Sequence, residues 1–170
     1  GDRLQSLFSG AIYLTGNLKF DNDVPSAQVD LGKKMREQFG ENRPIWLAAS
    51  TRDGEEKLLL ETLQKIQTSG ALAIIVPRHP QRFNEVAELL KSDQIAFQRR
   101  SENAAIAPST RVVLGDSMGE MFAYFAASDV AFIGGSLLPL GGQNLIEACA
   151  AGTPVLIGPH TFNFTEATDQ

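Results

Sequence analysis

The sequence predicts a doubly wound α/β fold built on a parallel sheet, and three observations carry this. Short, continuous apolar runs recur along the chain, segments of helical length separate them, and helix-start signals follow the ends of the runs. Apolar runs that are often β-branched and lack polar alternation are typical of strands buried on both faces of a parallel sheet. Strand and helix in strict alternation then give the layered α/β class.

Residues 11–14 could form a first strand, and 16–21 with the polar stretch around Pro25 lead to a short helix near 28–39, so 1–40 reads as a lead-in or interdomain segment. The main domain, 41–170, starts with the run Ile45-Trp46-Leu47-Ala48-Ala49. A helix over about 54–68 follows, with Leu58, Leu59 and Leu63 as its apolar face. The run Leu72-Ala73-Ile74-Ile75-Val76 and a helix over 82–91 form the next pair. Ile95-Ala96-Phe97 could be a short strand, and the polar, Ala-rich stretch 99–109 is expected to be a mobile loop. Val112-Val113-Leu114, a helix over 119–127, Val130-Ala131-Phe132-Ile133, a helix over 144–151 and Pro154-Val155-Leu156-Ile157 complete the series. Asp53 with Glu56, and Ser117 with Glu120, have the spacing at which side chains satisfy the free N–H groups of a first helical turn. An α/β domain would normally continue past 170 into its next helix, so truncation at the C-terminus is expected.

Composition narrows the class. At 170 residues and 43% hydrophobic the chain can bury a substantial core, and 21% charged residues without a biased tract exclude disordered and fibrous classes. Fifteen Lys and Arg against 20 Asp and Glu give a net charge of −5 and no general pull toward nucleic acid or anionic lipid. Any phosphate must therefore be held by a local site. No apolar run approaches the roughly 20 residues that span a bilayer. Cys149 has no intrachain partner, which fits a reducing compartment, and it is expected to pack as a small buried thiol in a helix. His79 and His160 stand outside any cluster at ligand spacing, so no metal and no cofactor is expected.

The unusual sequences fall where a parallel sheet binds ligands, beyond the C-terminal ends of its strands. Ser50, Thr51 and Arg52 precede a glycine and a helix, a set that could hold phosphate or could simply cap the helix. Pro77-Arg78-His79-Pro80 places a cation and an imidazole between prolines, either as a rigid turn or as a ligand contact. Gly134-Gly135-Ser136 after one strand, and Gly141-Gly142-Gln143-Asn144 before a helix, allow close backbone approach to an anion at two points. Neither matches the dinucleotide or P-loop pattern. With Asn144 as N-cap, Glu147 could close a capping box, or it could accept hydrogen bonds from ribose hydroxyls.

Seven segments taken in order resemble one family. They are 15–21 (TGNLKFD), 49–56 (ASTRDGEE), 76–83 (VPRHPQRF), 115–120 (GDSMGE), 134–136 (GGS), 142–144 (GQN) and 158–164 (GPHTFNF). Together they resemble 3-deoxy-D-manno-octulosonic acid (Kdo) transferase, from about residue 12 to the end. The resemblance implies a two-domain GT-B glycosyltransferase, with this chain as the Rossmann-like C-terminal domain that binds the donor CMP-Kdo. The general base and the lipid A precursor acceptor would belong to an N-terminal domain, and this chain alone would be inactive. The whole enzyme would work in lipopolysaccharide biosynthesis at the cytoplasmic face of the bacterial inner membrane, with peripheral membrane contact made elsewhere.

By that likeness Ser50 and Thr51 would face phosphate or sugar, Pro77, Arg78 and Met118 would frame the cytidine, and Glu147 would bind ribose. Gly134, Gly135, Ser136, Gly142 and Asn144 would line the phosphate and sugar side. Many relatives carry His-Asn-Pro where this chain has Gln143-Asn144-Leu145, so a cationic role for that His is absent. Two other readings stay open: a GT-B transferase or epimerase using a UDP-sugar, and a non-catalytic flavodoxin-like regulatory module. The second would need an acidic cluster at the strand ends, where this chain has basic and Gly-rich sequence.

Overall fold

The computed structural model describes residues 24–65 and 70–169. The candidate strand at 11–14 and the segment 15–21 lie outside them. Helix α1 (Ser26–Phe39) is followed by β1 (Ile45–Thr51), α2 (Glu55–Lys65), β2 (Leu72–Pro77), a 3-10 turn at Pro80–Arg82 and α3 (Phe83–Ser92). Then come β3 (Phe97–Arg99), β4 (Val112–Leu114), α4 (Met121–Ala127), β5 (Val130–Ile133), α5 (Ile146–Ala150), β6 (Val155–Ile157) and α6 (Thr165–Asp169).

The six strands form one sheet in the order β3-β4-β2-β1-β5-β6, and every pairing is parallel. This is the doubly wound, Rossmann-like α/β class the sequence predicts. All six residues of β2 are buried, as a central parallel strand requires. Successive residues feed opposite layers. Leu47, Ala49, Leu72 and Ile74 join Met35, Phe39, Tyr124 and Phe125 on one face, whereas Ala48, Ala73 and Ile75 join Leu59, Leu60 and Leu90 on the other. Helix α1 is part of this core. A Cβ on Gly32 would stand 2.6 Å from that of Ala126, so α1 and α4 approach at a glycine.

From β1 the chain winds to β2, β3 and β4 on one side, then crosses to β5 and β6 on the other. The loops after β1 and β5 therefore diverge, and the gap between them is the crevice in which doubly wound sheets bind ligands.

Four expectations change. Leu58 is exposed and Leu60 takes its place in the core, because α2 starts at Glu55 and its buried stripe is Leu59, Leu60 and Leu63. Cys149 is exposed, since α5 turns that side of its short length outward. The stretch 99–109 is tied down at both ends: Asp116 accepts from the backbone N–H of Ser101 at 2.8 Å and pairs with Arg99 at 3.3 Å. Gln98 holds the far end, donating to Ala105 O at 3.0 Å and accepting from Ala107 N at 2.8 Å. The caps also differ. Glu55, not Glu56, reaches back to the N–H of Arg52 at 2.9 Å, and Ser117 bonds to the Glu120 side chain itself while α4 starts only at Met121.

Candidate functional site

The C-terminal strand ends converge on a cleft of two lobes. One, of about 310 Å³, is lined by Ser50, Arg78, Met121, Phe125, Gln143, Asn144, Glu147 and Phe164. The other, of about 140 Å³, is lined by Ser50, Pro77, Arg78, Phe83, Met118, Glu120 and Tyr124 among others. Ser50, Arg78 and Met121 belong to both, so the lobes are one continuous cleft with Arg78 at the junction. A larger hollow of about 410 Å³ lies at the opposite end of the strands, beside Leu63, Ile95 and Arg111, away from every glycine turn discussed above.

The floor depends on a break in β1. Register with β2 shifts between Ala49 and Thr51, and Ser50 adopts φ 56°, a left-handed conformation that costs free energy for a residue with a Cβ. The break leaves Ser50 facing both lobes. Thr51 turns the other way: it is fully buried and its hydroxyl donates to Glu56 at 2.7 Å. Glu56 also pairs with Arg82 at 2.7 Å, so Thr51 braces the strand end from behind.

Gly134 packs directly on this break, where a Cβ would lie 2.4 Å from Ser50 O and 2.7 Å from Thr51 Cα. Gly135 has φ 70° and accepts from Gly142 N at 2.7 Å, joining the two glycine turns. Ser136 is fully buried, and its hydroxyl donates to Ile133 O and accepts from Gly158 N at 2.9 Å. Gly134, Gly135, Ser136 and Gly142 thus form the scaffold beneath the cleft, and the side chains of Ser50, Arg78, Met118, Asn144 and Glu147 reach its surface.

Just ahead of α5, whose N-cap is Leu145 and not Asn144 as the spacing suggests, the Asn144 carbonyl oxygen accepts from Ile146 N at 3.1 Å while its amide donates to Glu147 at 3.1 Å. Glu147 therefore meets the Asn144 side chain and closes no capping box, and it stays on the wall of the larger lobe. Arg78 is exposed, and no carboxylate pairs with it among the described residues. In the smaller lobe Ser117 shares a hydrogen bond of 2.7 Å with Tyr124, and Glu120 pairs with Arg100 at 3.0 Å. Burial pushes the Tyr124 phenol well above its usual range, against the opposing hydrogen bond to Ser117.

Sequence reasoning missed Met121, Phe125, Phe164, Phe83 and Tyr124 as lining residues, because apolar and aromatic positions in or beside helices read as core. It also missed Glu55, although the pair of carboxylates after Gly54 was visible. Among the described residues no group of three or more His, Cys, Asp or Glu is placed to hold a metal.

A parallel sheet with a polar cleft at its topological switch point, bounded by glycine turns and an exposed arginine, defines a Rossmann-like ligand-binding domain. No protein-family model matches the sequence. The chain is 47% identical over 173 residues to 3-deoxy-D-manno-octulosonic acid transferase of Bordetella pertussis, covering 98% of this chain and 40% of that protein. It is 44% identical to the enzyme of the same name from Haemophilus influenzae, covering 90% and 36%. The fold matches the crystal structure of the C-terminal CMP-Kdo binding domain of WaaA from Acinetobacter baumannii with a TM-score of 0.77 and 37% identity, over 85% of this chain and 77% of that one. The chain belongs to the Kdo transferase family, to its C-terminal domain. It spans well under half the length of the curated transferases it matches.

Proposed function

We propose that this chain binds CMP-Kdo as the donor domain of a transferase that moves Kdo to a lipid A precursor. The observation that carries the reading is Arg78, which stands at the junction of the two lobes with no carboxylate partner among the described residues. In this reading the smaller lobe takes the cytosine between Pro77, Arg78 and Met118. The larger takes ribose at Glu147, and the phosphate lies near Arg78 and Ser50, where a guanidinium and a hydroxyl can neutralise and hydrogen-bond it. Gln143 stands on the wall of the larger lobe and can donate a neutral hydrogen bond where many relatives have His.

The acceptor and the general base are assigned to an N-terminal domain, and membrane contact at the cytoplasmic face of the bacterial inner membrane to parts outside this chain. Among the described residues no helix is long and apolar enough to cross a membrane. The test is calorimetric titration of the chain with CMP, UMP, UDP and GDP. CMP should bind most tightly, and equal or tighter binding of UDP would overturn the reading.

A further inference from the structure

We propose that Glu55 is a positioning residue for the donor cleft, fixing the loop after β1 and the loop after β5 in one register. The inference rests on the donor-binding reading above. Glu55 is fully buried. Its carboxylate accepts three backbone N–H groups: Arg52 at 2.9 Å and Gly135 at 2.6 Å on Oε2, and Leu137 at 3.0 Å on Oε1. Buried charge needs compensation of this kind, and here the backbone supplies it, because among the described residues no cation pairs with Glu55.

Helix capping accounts for only one of the three bonds. The bond from Arg52 N to Glu55, the first residue of α2, closes the turn that enters the helix, and it would be satisfied without the loop after β5. The bonds to Gly135 and Leu137 span 80 and 82 residues of sequence and serve no helix terminus. They hold the turn at Gly135, with φ 70°, against the break in β1 at Ser50, with φ 56°. Gly134 already touches the backbone of Ser50 and Thr51, so any drift of its loop moves Ser50, which lines both lobes. The next carboxylate, Glu56, points the other way to Thr51 and Arg82 and cannot substitute.

The experiment compares CMP binding by the wild-type chain, Glu55→Gln and the core variant Leu90→Ala, all at a temperature where each is folded. Glutamine offers one acceptor oxygen and turns an NH₂ toward the remaining N–H groups, so at least one loop loses its anchor. CMP affinity should fall about tenfold in Glu55→Gln, with faster hydrogen exchange at Gly135 and Leu137. Leu90→Ala, which removes a buried side chain from α3, should stay within about twofold of wild type even where its melting temperature is lower. Wild-type affinity in Glu55→Gln, or an equal loss in Leu90→Ala, overturns the inference. If Glu55→Gln does not fold, Glu55→Asp is held to the same comparison, since the side chain shorter by one CH₂ cannot span both loops. Failure of the wild-type chain itself to bind CMP sinks the donor reading and the inference with it, and is thus a distinct result.

Discussion

Asn144, two residues ahead of α5, donates its side-chain amide to the carboxylate of Glu147 at 3.1 Å on the wall of the larger lobe. The bond that holds the helix entry runs from Ile146 N to Asn144 and does not involve Glu147. Replacing Glu147 by Gln should therefore leave the melting temperature nearly unchanged. It should lower CMP affinity roughly tenfold or more, because hydrogen bonds to a charged acceptor are the stronger kind. Calorimetry and a thermal melt of the same sample check this, and the reverse pattern would return Glu147 to a capping role.

Gly134 gives a stability prediction that does not depend on the ligand. A Cβ there would stand 2.4 Å from Ser50 O and 2.7 Å from Ser50 C, and backbone atoms have nowhere to go. Gly134→Ala should destabilise by about 1–3 kcal/mol or more, lowering the melting temperature by roughly 2–4 °C for each kcal/mol. Gly119, with φ 76° and no atom within 4 Å of such a Cβ, is the comparison: its Ala variant bears only conformational strain, on the order of 1 kcal/mol. Equal melting temperatures for the two variants would show that the loop after β5 can shift away from Ser50.

These two sites also mark how far the sequence was legible. The central strands read correctly because β1 and β2 are buried on both faces and have no polar alternation to confuse with a helix. By contrast, β3 lies at Phe97–Arg99 and not at Ile95-Ala96-Phe97, and the edge strand β6 leaves Leu156 and Ile157 exposed. Capping was legible in kind but not in register. In Asp53-Gly54-Glu55-Glu56 two carboxylates stand near the right spacing, and only the loop after β5, 80 residues away, decides that Glu55 is the one used. Thr51 read as a ligand-facing hydroxyl because nothing local announces the break at Ser50 that turns it inward. Arg78 was legible as a cation at a strand end and Met118 only through the family resemblance, whereas Phe125 and Phe164 could not be told from core.

Arg78 yields a third prediction. It is exposed and free of carboxylate partners among the described residues, so Arg78→Met should not lower the melting temperature. CMP binding should weaken at least tenfold at low salt, and the gap from wild type should narrow as salt screens the lost charge. A salt-independent loss would mean that Arg78 acts through its packing against the base and not through the phosphate.

Tyr124 sets an alkaline limit on stability. Its phenol is raised above the ordinary 10.0, chiefly by burial, so the folded state favours the protonated form. The sign follows from linkage. The contribution is fully present below about pH 10, where the unfolded chain is also protonated, and is lost as pH rises from there toward the folded value. Denaturant melts of wild type and Tyr124→Phe at increasing pH should show the wild type losing stability faster above about pH 10. Parallel curves would show that Tyr124 ionises in the folded state as freely as in solution.

The last prediction is that this chain will bind donor without transferring Kdo. Transfer requires an acceptor hydroxyl to lose its proton to a positioned base while the CMP phosphate departs. In the donor reading Ser50 and Arg78 contact the leaving group, but the carboxylates in and around the cleft are engaged. Glu147 holds Asn144, Glu120 holds Arg100 and Ser117, and Asp116 holds Arg99 and Ser101. Glu55 and Glu56 are buried beneath the floor. Loss of a general base alone slows such reactions by roughly 10²–10⁴-fold, and loss of acceptor positioning removes a further entropic advantage. Incubating the chain with freshly generated CMP-Kdo and lipid A precursor, beside a full-length family member, should give product by mass spectrometry only in the full-length sample. Robust transfer by the chain alone would require one of these five carboxylates to leave its partner and act as base, and single substitutions at each of the five would identify which.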